Sequence, residues 1–208
     1  MNDTSSQLFY FYNRHPISRD IIVAKLRASR GHLDNLRPED LYAHDQDHYG
    51  GVNATDELAR QAQIGSGTAV ADFCAGLGGT VRYLANKYGA NVTGVEFTPV
   101  RAAGAQELTR LVGLQETARI VEGNVMDAPL ADASFDAVVS QESFCHIPDV
   151  KKALAEARRI LKTGGRLAFT DWVANQPLAT ADAQLMGDGM AIQPLRSIPD
   201  YRHLVESV

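Results

Sequence analysis

The sequence predicts an α/β fold, a doubly wound and mostly parallel sheet with helices on both faces. Three observations carry that prediction. From Gly67 onward, short apolar runs alternate with segments of helical period, which is the pattern of βαβ units. The runs are apolar at successive positions, as strands covered on both faces must be. A turn holding two glycines, Gly76 and Gly78, separates the first run from the first of these helices. Such turns occur in sheets that bind a ligand beyond the carboxyl ends of their strands.

Each element follows from local pattern. Residues 1–17 hold four adjacent aromatics, Phe9, Tyr10, Phe11 and Tyr12, without a clear period, and read as an irregular or weakly helical arm. Ser18 suits the N-cap of a helix running to about Ser29, and Gly31 suits its stop. Pro38, Glu39 and Asp40 suit the first turn of a second short helix. HDQDHYGG at 44–51 reads as a loop, and a third helix is expected over 54–63. Strands are expected over 68–73, 91–97, 118–123, 135–141 and 166–173. Helices are expected over 79–89, over 99–114 behind Pro99, and over 150–162 before Gly164 and Gly165. A helix around 181–187 and a last one in PDYRHLVESV complete the chain. The organisation expected is an N-terminal helical arm and lid over 1–63, then a ligand-binding domain over 64–208.

The chain has 208 residues, 45% hydrophobic and 22% charged, enough to bury a core without staples. Lys plus Arg number 20 against 25 Asp plus Glu, a formal net charge of −5. That balance, with no basic block, argues against a nucleic-acid backbone or an anionic membrane as partner. No run reaches the roughly 18 apolar residues of a membrane span. The N-terminus lacks the charged start and apolar core of a signal peptide, so a cytoplasmic location is expected. Cys74 and Cys145 have no metal-ligand spacing and make no disulfide framework; no metal is expected.

Glycine at 76 and 78 lets the backbone approach a cofactor, and amides opening the next helix offer donors. Glu96 ends the second strand, 20 residues after Gly76. A carboxylate there can accept from two vicinal ribose hydroxyls. The pair points to an adenosine-type cofactor; the plain alternative is a tight turn in an unrelated α/β protein. A dinucleotide asks for Gly-x-Gly-x-x-Gly/Ala. Here the last position is Val81, expected to hold the helix off the strand. Asp72 suits a pyrophosphate poorly, but suits an amine and a sulfonium. S-adenosylmethionine is favoured over NAD(P).

At these residues the chain resembles a class I S-adenosylmethionine-dependent methyltransferase. The resemblance runs from about Gly67 to Trp172, through VADFCAGLGG, VTGVEF, VEGNVMDAPLADASFDAVVSQESFCHIPD and LKTGGRLAFTDW in that order. It implies a Rossmann-like methyltransferase fold. It implies a cofactor site of Asp72, Ala75, Gly76, Gly78, Glu96 and Phe97, with Asn124 and Val125 flanking the adenine and Gln141 meeting the methionine part. With HDQDHYGG upstream, FCAGLGGTVRYLA is similar to sarcosine/dimethylglycine and glycine N-methyltransferases, and to ubiquinone/menaquinone methyltransferases. An N-terminal segment closes over the cofactor in such enzymes. That role falls to Tyr49, hinged at Gly50 and Gly51, unless Tyr49 simply packs under the N-terminal helices. The family often has Gly-Cys-Gly where this chain has Cys74-Ala75-Gly76. Cys74 is expected to keep a negative φ or to carry strain of about 1 kcal/mol. Asn124 stands where an Asp is frequent, and its amide keeps a contact to the adenine amine.

Methyl transfer from a sulfonium is an in-line displacement, so the protein aligns the acceptor and excludes water. An amine acceptor must first lose its proton. His146 is the candidate proton acceptor, or else a loop-stabilising histidine. His48, Glu142 and His146 are the candidate substrate contacts, with His44 a further lid histidine. Met126, Met186 and Met190 read as core fillers or cavity lining; Arg101, Arg158 and Arg159 read as solvated. The family usually carries seven strands, so the C-terminal end is expected to be shortened, lacking the last ones. Residues 166–173 then form a sheet edge, along which a homodimer is expected unless the chain is a poorly active relative.

The expected function is methyl transfer to a small molecule, an amine of the sarcosine or dimethylglycine kind. The same-class alternative is a C- or O-methyltransferase acting on a quinone or secondary metabolite. The alternatives of other classes are an NAD(P)-dependent oxidoreductase and a non-catalytic cofactor-binding remnant.

Overall fold

A computed structural model describes residues 3–208. Among the described residues three α-helices precede the sheet, α1 (Asp3–Tyr12), α2 (Arg19–Arg30) and α3 (Gly51–Gln61), and the second short helix expected from Pro38 is a single 3-10 turn, Pro38–Asp40. The sheet region runs β1 (Ala69–Phe73), α4 (Gly79–Tyr88), β2 (Asn91–Glu96), α5 (Pro99–Leu111), β3 (Ala118–Glu122), β4 (Phe135–Gln141), α6 (Val150–Ile160) and β5 (Leu161–Thr170). Then come α7 (Thr180–Met190) and α8 (Ile198–Glu206). The strand order is β3-β2-β1-β4-β5 and every pairing is parallel. The chain winds outward from β1 to β3, then crosses back to β4. The crevice between the carboxyl ends of β1 and β4 is therefore the topological switch point, where open α/β sheets bind ligands. Val70, Ala71 and Phe73 of β1 are fully buried. Three apolar clusters form among the described residues, one under α4 and α5, one under α6 and α8, and one where Ile22, Val23 and Leu26 of α2 meet Leu108 of α5. No helix among the described residues is long and apolar enough to cross a membrane.

The caps behave as their residue types dictate. Ser18 accepts from the Ile21 amide, and Gly31 ends α2 in the left-handed region. Asp149 accepts from the Lys152 amide at 3.1 Å and opens α6.

Four local expectations are corrected. The aromatic arm is a regular helix, α1, held by distant partners: Phe9 stacks on Phe97 at 5.2 Å. The third helix starts at Gly51, because Gly50 caps it at φ 79°. Helix α6 ends at Ile160, not 162. The Ala133 and Ser134 amides donate to the carbonyls of Arg159 and Ile160, so Leu161 already pairs with Phe135 in β5. Val81 does not hold α4 off the sheet. It lies over Gly94 of β2, where a Cβ would stand 2.8 Å from its methyl.

β5 lies at the edge of the sheet. Tyr201 of α8 packs on Phe169 at 5.3 Å and covers one face.

Candidate active site

The β1–α4 turn is built from left-handed backbone. Cys74, Gly76 and Gly78 have φ of 64°, 57° and 78°. Cys74 therefore takes the second of the two expected courses, a strained positive φ rather than a negative one. The Ala75 amide continues the ladder onto Val95 O at 3.0 Å, and this fixes the backbone on either side of the strained residue. The turn faces a cavity of about 280 Å³ at the switch point.

Most of the expected site residues meet there. Asp72, Ala75, Gly76, Glu96, Phe97, Asn124, Val125 and Gln141 line this cavity, as do His48, Glu142 and His146. Gly78 does not: a Cβ on it would point at Arg82, 2.8 Å from the guanidinium. Tyr49 is absent from the walls too. Its side chain is 73% exposed, so it is not packed under the N-terminal helices either.

Two buried carboxyls set the electrostatics. Glu96 accepts from the Gly76 amide through Oε2 and from the Thr98 amide through Oε1, both at 2.8 Å. Burial pushes its pKa up, while the Thr98 amide, Arg101 and the Gly76 amide pull the other way. Each oxygen keeps a lone pair for a further donor. Asp72 is buried, and no side-chain hydrogen bond reaches it among the described residues. Burial pushes its pKa well above the carboxylate range, and the Glu96 charge adds to that. Gln141 Nε2 donates to Thr80 at 3.0 Å and Thr55 at 3.3 Å, so α3 and α4 fix its amide. Asn124 Oδ1 accepts from the Met126 amide at 2.9 Å.

The cover is α1 together with the 44–49 loop. Leu8 and Tyr12 of α1 line the cavity. Arg101, expected in solvent, is 4% exposed. It donates to Asp47 and to Ile17 O, and its guanidinium lies under the Tyr12 ring at 4.6 Å. It ties α1 and the loop to α5. Arg159 is half-buried rather than solvated, donating to Ala128 O and Leu130 O. Arg158 is exposed.

Arg82 was not singled out by the sequence. Fully buried in α4, it pairs with Asp45 at 2.8 Å and donates to Leu77 O, Thr109 and Ala105 O. This presses the loop onto the start of α4, where a Cβ on Gly79 would stand 2.2 Å from Asp45 O. Only tertiary contacts mark Arg82 as buried.

His146 packs against Phe11 and Tyr12, and its Nδ1 meets Ala191 O at 3.2 Å. With the proton assigned to Nδ1, Nε2 is left as an acceptor. Burial pushes its pKa down. Burial also pushes the Cys74 and Cys145 thiols up, away from the thiolate form. His44 and Met186 line neither this cavity nor the next, while Met126 lines this one.

A second cavity of about 340 Å³ adjoins the first. Tyr12, Asp47, His48, Glu142 and His146 belong to both walls. Tyr49, Trp172 and Met190 belong to the second only. Glu142, at φ 48°, accepts from the Tyr49 amide at 2.8 Å and from Trp172 Nε1 at 3.0 Å.

Known proteins resemble this arrangement. Residues 71–169 match the family described as methyltransferase domain. A glycine/sarcosine/dimethylglycine N-methyltransferase of Actinopolyspora halophila is 34% identical over 145 residues, 70% of this chain and 26% of the relative. A chloroplastic tocopherol O-methyltransferase of Arabidopsis thaliana is 38% identical over 103 residues, 50% of this chain and 30% of the relative. Both matches thus span less than a third of the relative's own length. The solved phosphoethanolamine N-methyltransferase 2 of Haemonchus contortus, in complex with S-adenosyl-L-methionine, superposes with a TM-score of 0.74 at 21% identity. That superposition covers 96% of this chain and 43% of the other, and it shows the shared fold. With its parallel sheet, its switch-point cavity and these matches, the chain carries a methyltransferase domain over residues 71–169 on the Rossmann-like class I methyltransferase fold.

Proposed function

We propose that this chain transfers the methyl group of S-adenosylmethionine to a small-molecule amine. The carrying observation is the pair of buried carboxyls, Asp72 and Glu96, on the walls of the switch-point cavity. Glu96, already oriented by two amides, has lone pairs free for two ribose hydroxyls. Asn124 and Val125 flank the adenine. Asp72 meets the positive amine and sulfonium, whose field favours its ionised form. Gly76 brings the backbone close without a Cβ, and Gln141 holds the methionine end.

The cofactor supplies a methyl group already activated on a cationic sulfur. The chain's work is positioning and water exclusion. Helix α1 and the 44–49 loop cover the cavity through Arg101. His146, neutral at pH 7, takes the acceptor's proton at Nε2. The named activity of the Actinopolyspora relative supports nitrogen as the acceptor atom; that of the tocopherol relative supports oxygen as the second reading.

Calorimetric titration with S-adenosylmethionine, S-adenosylhomocysteine and NADH tests this. The first two are expected to bind and NADH not. Glu96→Ala is expected to weaken binding at least tenfold, about 1.4 kcal/mol, within the range of a hydrogen bond to a charged group. Absence of binding by the first two in folded protein would overturn the reading.

A further inference from the structure

We infer that the second cavity is the acceptor chamber and that it admits an amine carrying no carboxylate. The inference rests on the first cavity being the cofactor site. The two cavities share a wall of Tyr12, Asp47, His48, Glu142 and His146, so a molecule in the second lies against whatever fills the first.

The charge of the second wall selects the acceptor. Its carboxylates are Asp47 and Glu142, and no lysine or arginine lines it among the described residues. Arg101 is engaged by Asp47 from the neighbouring cavity. His146 is held neutral by burial, and His15 Nε2 stands 3.7 Å from Asp47. An acceptor carboxylate would enter beside Glu142 without a guanidinium or ammonium to receive it, which is costly away from bulk water. A cationic amine meets the opposite situation. Glu142 is fixed by the Tyr49 amide and by Trp172 Nε1, and it lines both cavities. Phe11, Tyr12, Tyr49 and Trp172 supply ring surface, which attracts a cation and covers an apolar body. A volume of about 340 Å³ lies at the small end for organic ligands.

The reaction balances within these groups. The bound ammonium gives one proton to His146 Nε2 and regains a nitrogen lone pair. That pair attacks the methyl carbon, a carbon–nitrogen bond forms, and the carbon–sulfur electrons return to sulfur. The product is a methylated ammonium beside a neutral thioether.

The test is calorimetric titration of the whole chain with phenethylamine, its uncharged counterpart 2-phenylethanol, sarcosine and dimethylglycine. Each titration is run with and without S-adenosylhomocysteine. Phenethylamine is expected to bind at least about tenfold more tightly than the other three. Glu142→Gln is expected to abolish its preference over the alcohol. Trp172→Leu is expected to weaken phenethylamine and leave that of sarcosine unchanged. Sarcosine or dimethylglycine binding as tightly as phenethylamine would overturn the inference. Equal binding of amine and alcohol would do the same, as would S-adenosylhomocysteine binding with no amine binding. Amine binding without S-adenosylhomocysteine binding would instead overturn the cofactor reading, and the acceptor role of the chamber with it, leaving only a cavity that prefers a cationic amine.

Discussion

Arg82 and Asp45 meet at 2.8 Å with neither side chain exposed to solvent. The pair joins the loop over the cavity to the helix that follows the glycine turn. Its attraction is offset by the desolvation of both ions, so its net worth is modest while both are present. Removing one partner is different. Arg82→Leu leaves the buried Asp45 carboxylate with the Gln46 amide at 2.8 Å but no counter-ion, and is expected to cost about 3–5 kcal/mol. Arg82→Leu combined with Asp45→Leu is expected to cost less than the single change. Urea unfolding of the three proteins checks both; a single-variant loss below about 1 kcal/mol would remove the pair from this role.

Asp72 makes cofactor binding a proton-linked event. Its pKa is raised in the free chain, so a fraction of the protein holds a proton there that a cationic ligand must expel. Affinity for S-adenosylmethionine is expected to rise with pH until Asp72 is ionised in the free chain. Titrations in buffers of different ionisation enthalpy should record proton release. Asp72→Asn should abolish it and weaken binding; release that persists unchanged in Asp72→Asn would assign the proton elsewhere.

Cys74 reverses the usual order of glycine and alanine. At φ 64° a Cβ is strained, and glycine is not. Cys74→Gly is expected to be more stable than Cys74→Ala by about 1 kcal/mol. Both variants lose the same thiol contact, so their difference isolates the backbone term. Thermal midpoints of the two give the sign directly.

His146 imposes an acid limit on stability. Its pKa is lowered in the fold, so the unfolded chain takes up the proton first. Stability is complete above the ordinary histidine value near 6.5 and falls as the pH drops through it toward the folded value. Asp72 and Glu96 act in the opposite sense, because their pKa values are raised and the fold gains stability as the pH falls through their folded values to the ordinary carboxylate range. His146→Gln should flatten the dependence of unfolding free energy between about pH 7 and 5. An unaltered slope would point to another group.

Period and punctuation made the sheet legible. β4 occupies 135–141 as expected, and Ser18 and Gly31 bound α2, because strand alternation and caps are local signals. Glu96 and Asp72 were legible for the same reason: each sits near the end of a recognisable strand. Arg82 and Arg101 were not. A helix pattern places a polar residue on the polar face, whereas their burial depends on Asp45 and Asp47, carboxylates supplied by a distant loop. α1 escaped because its aromatic surface answers to Phe97 and His146 rather than to a neighbouring turn. The sign of φ at Cys74 is set by the ladder bond from Ala75 to Val95, which no single segment contains.

The docking of α1 has a kinetic consequence. Its aromatic partners lie far along the chain, Phe97 for Phe9 and His146 for Phe11. The contacts within βαβ units close much shorter loops, and short loops close first. A refolding chain should therefore recover the circular dichroism of its sheet before it recovers its grip on a nucleoside.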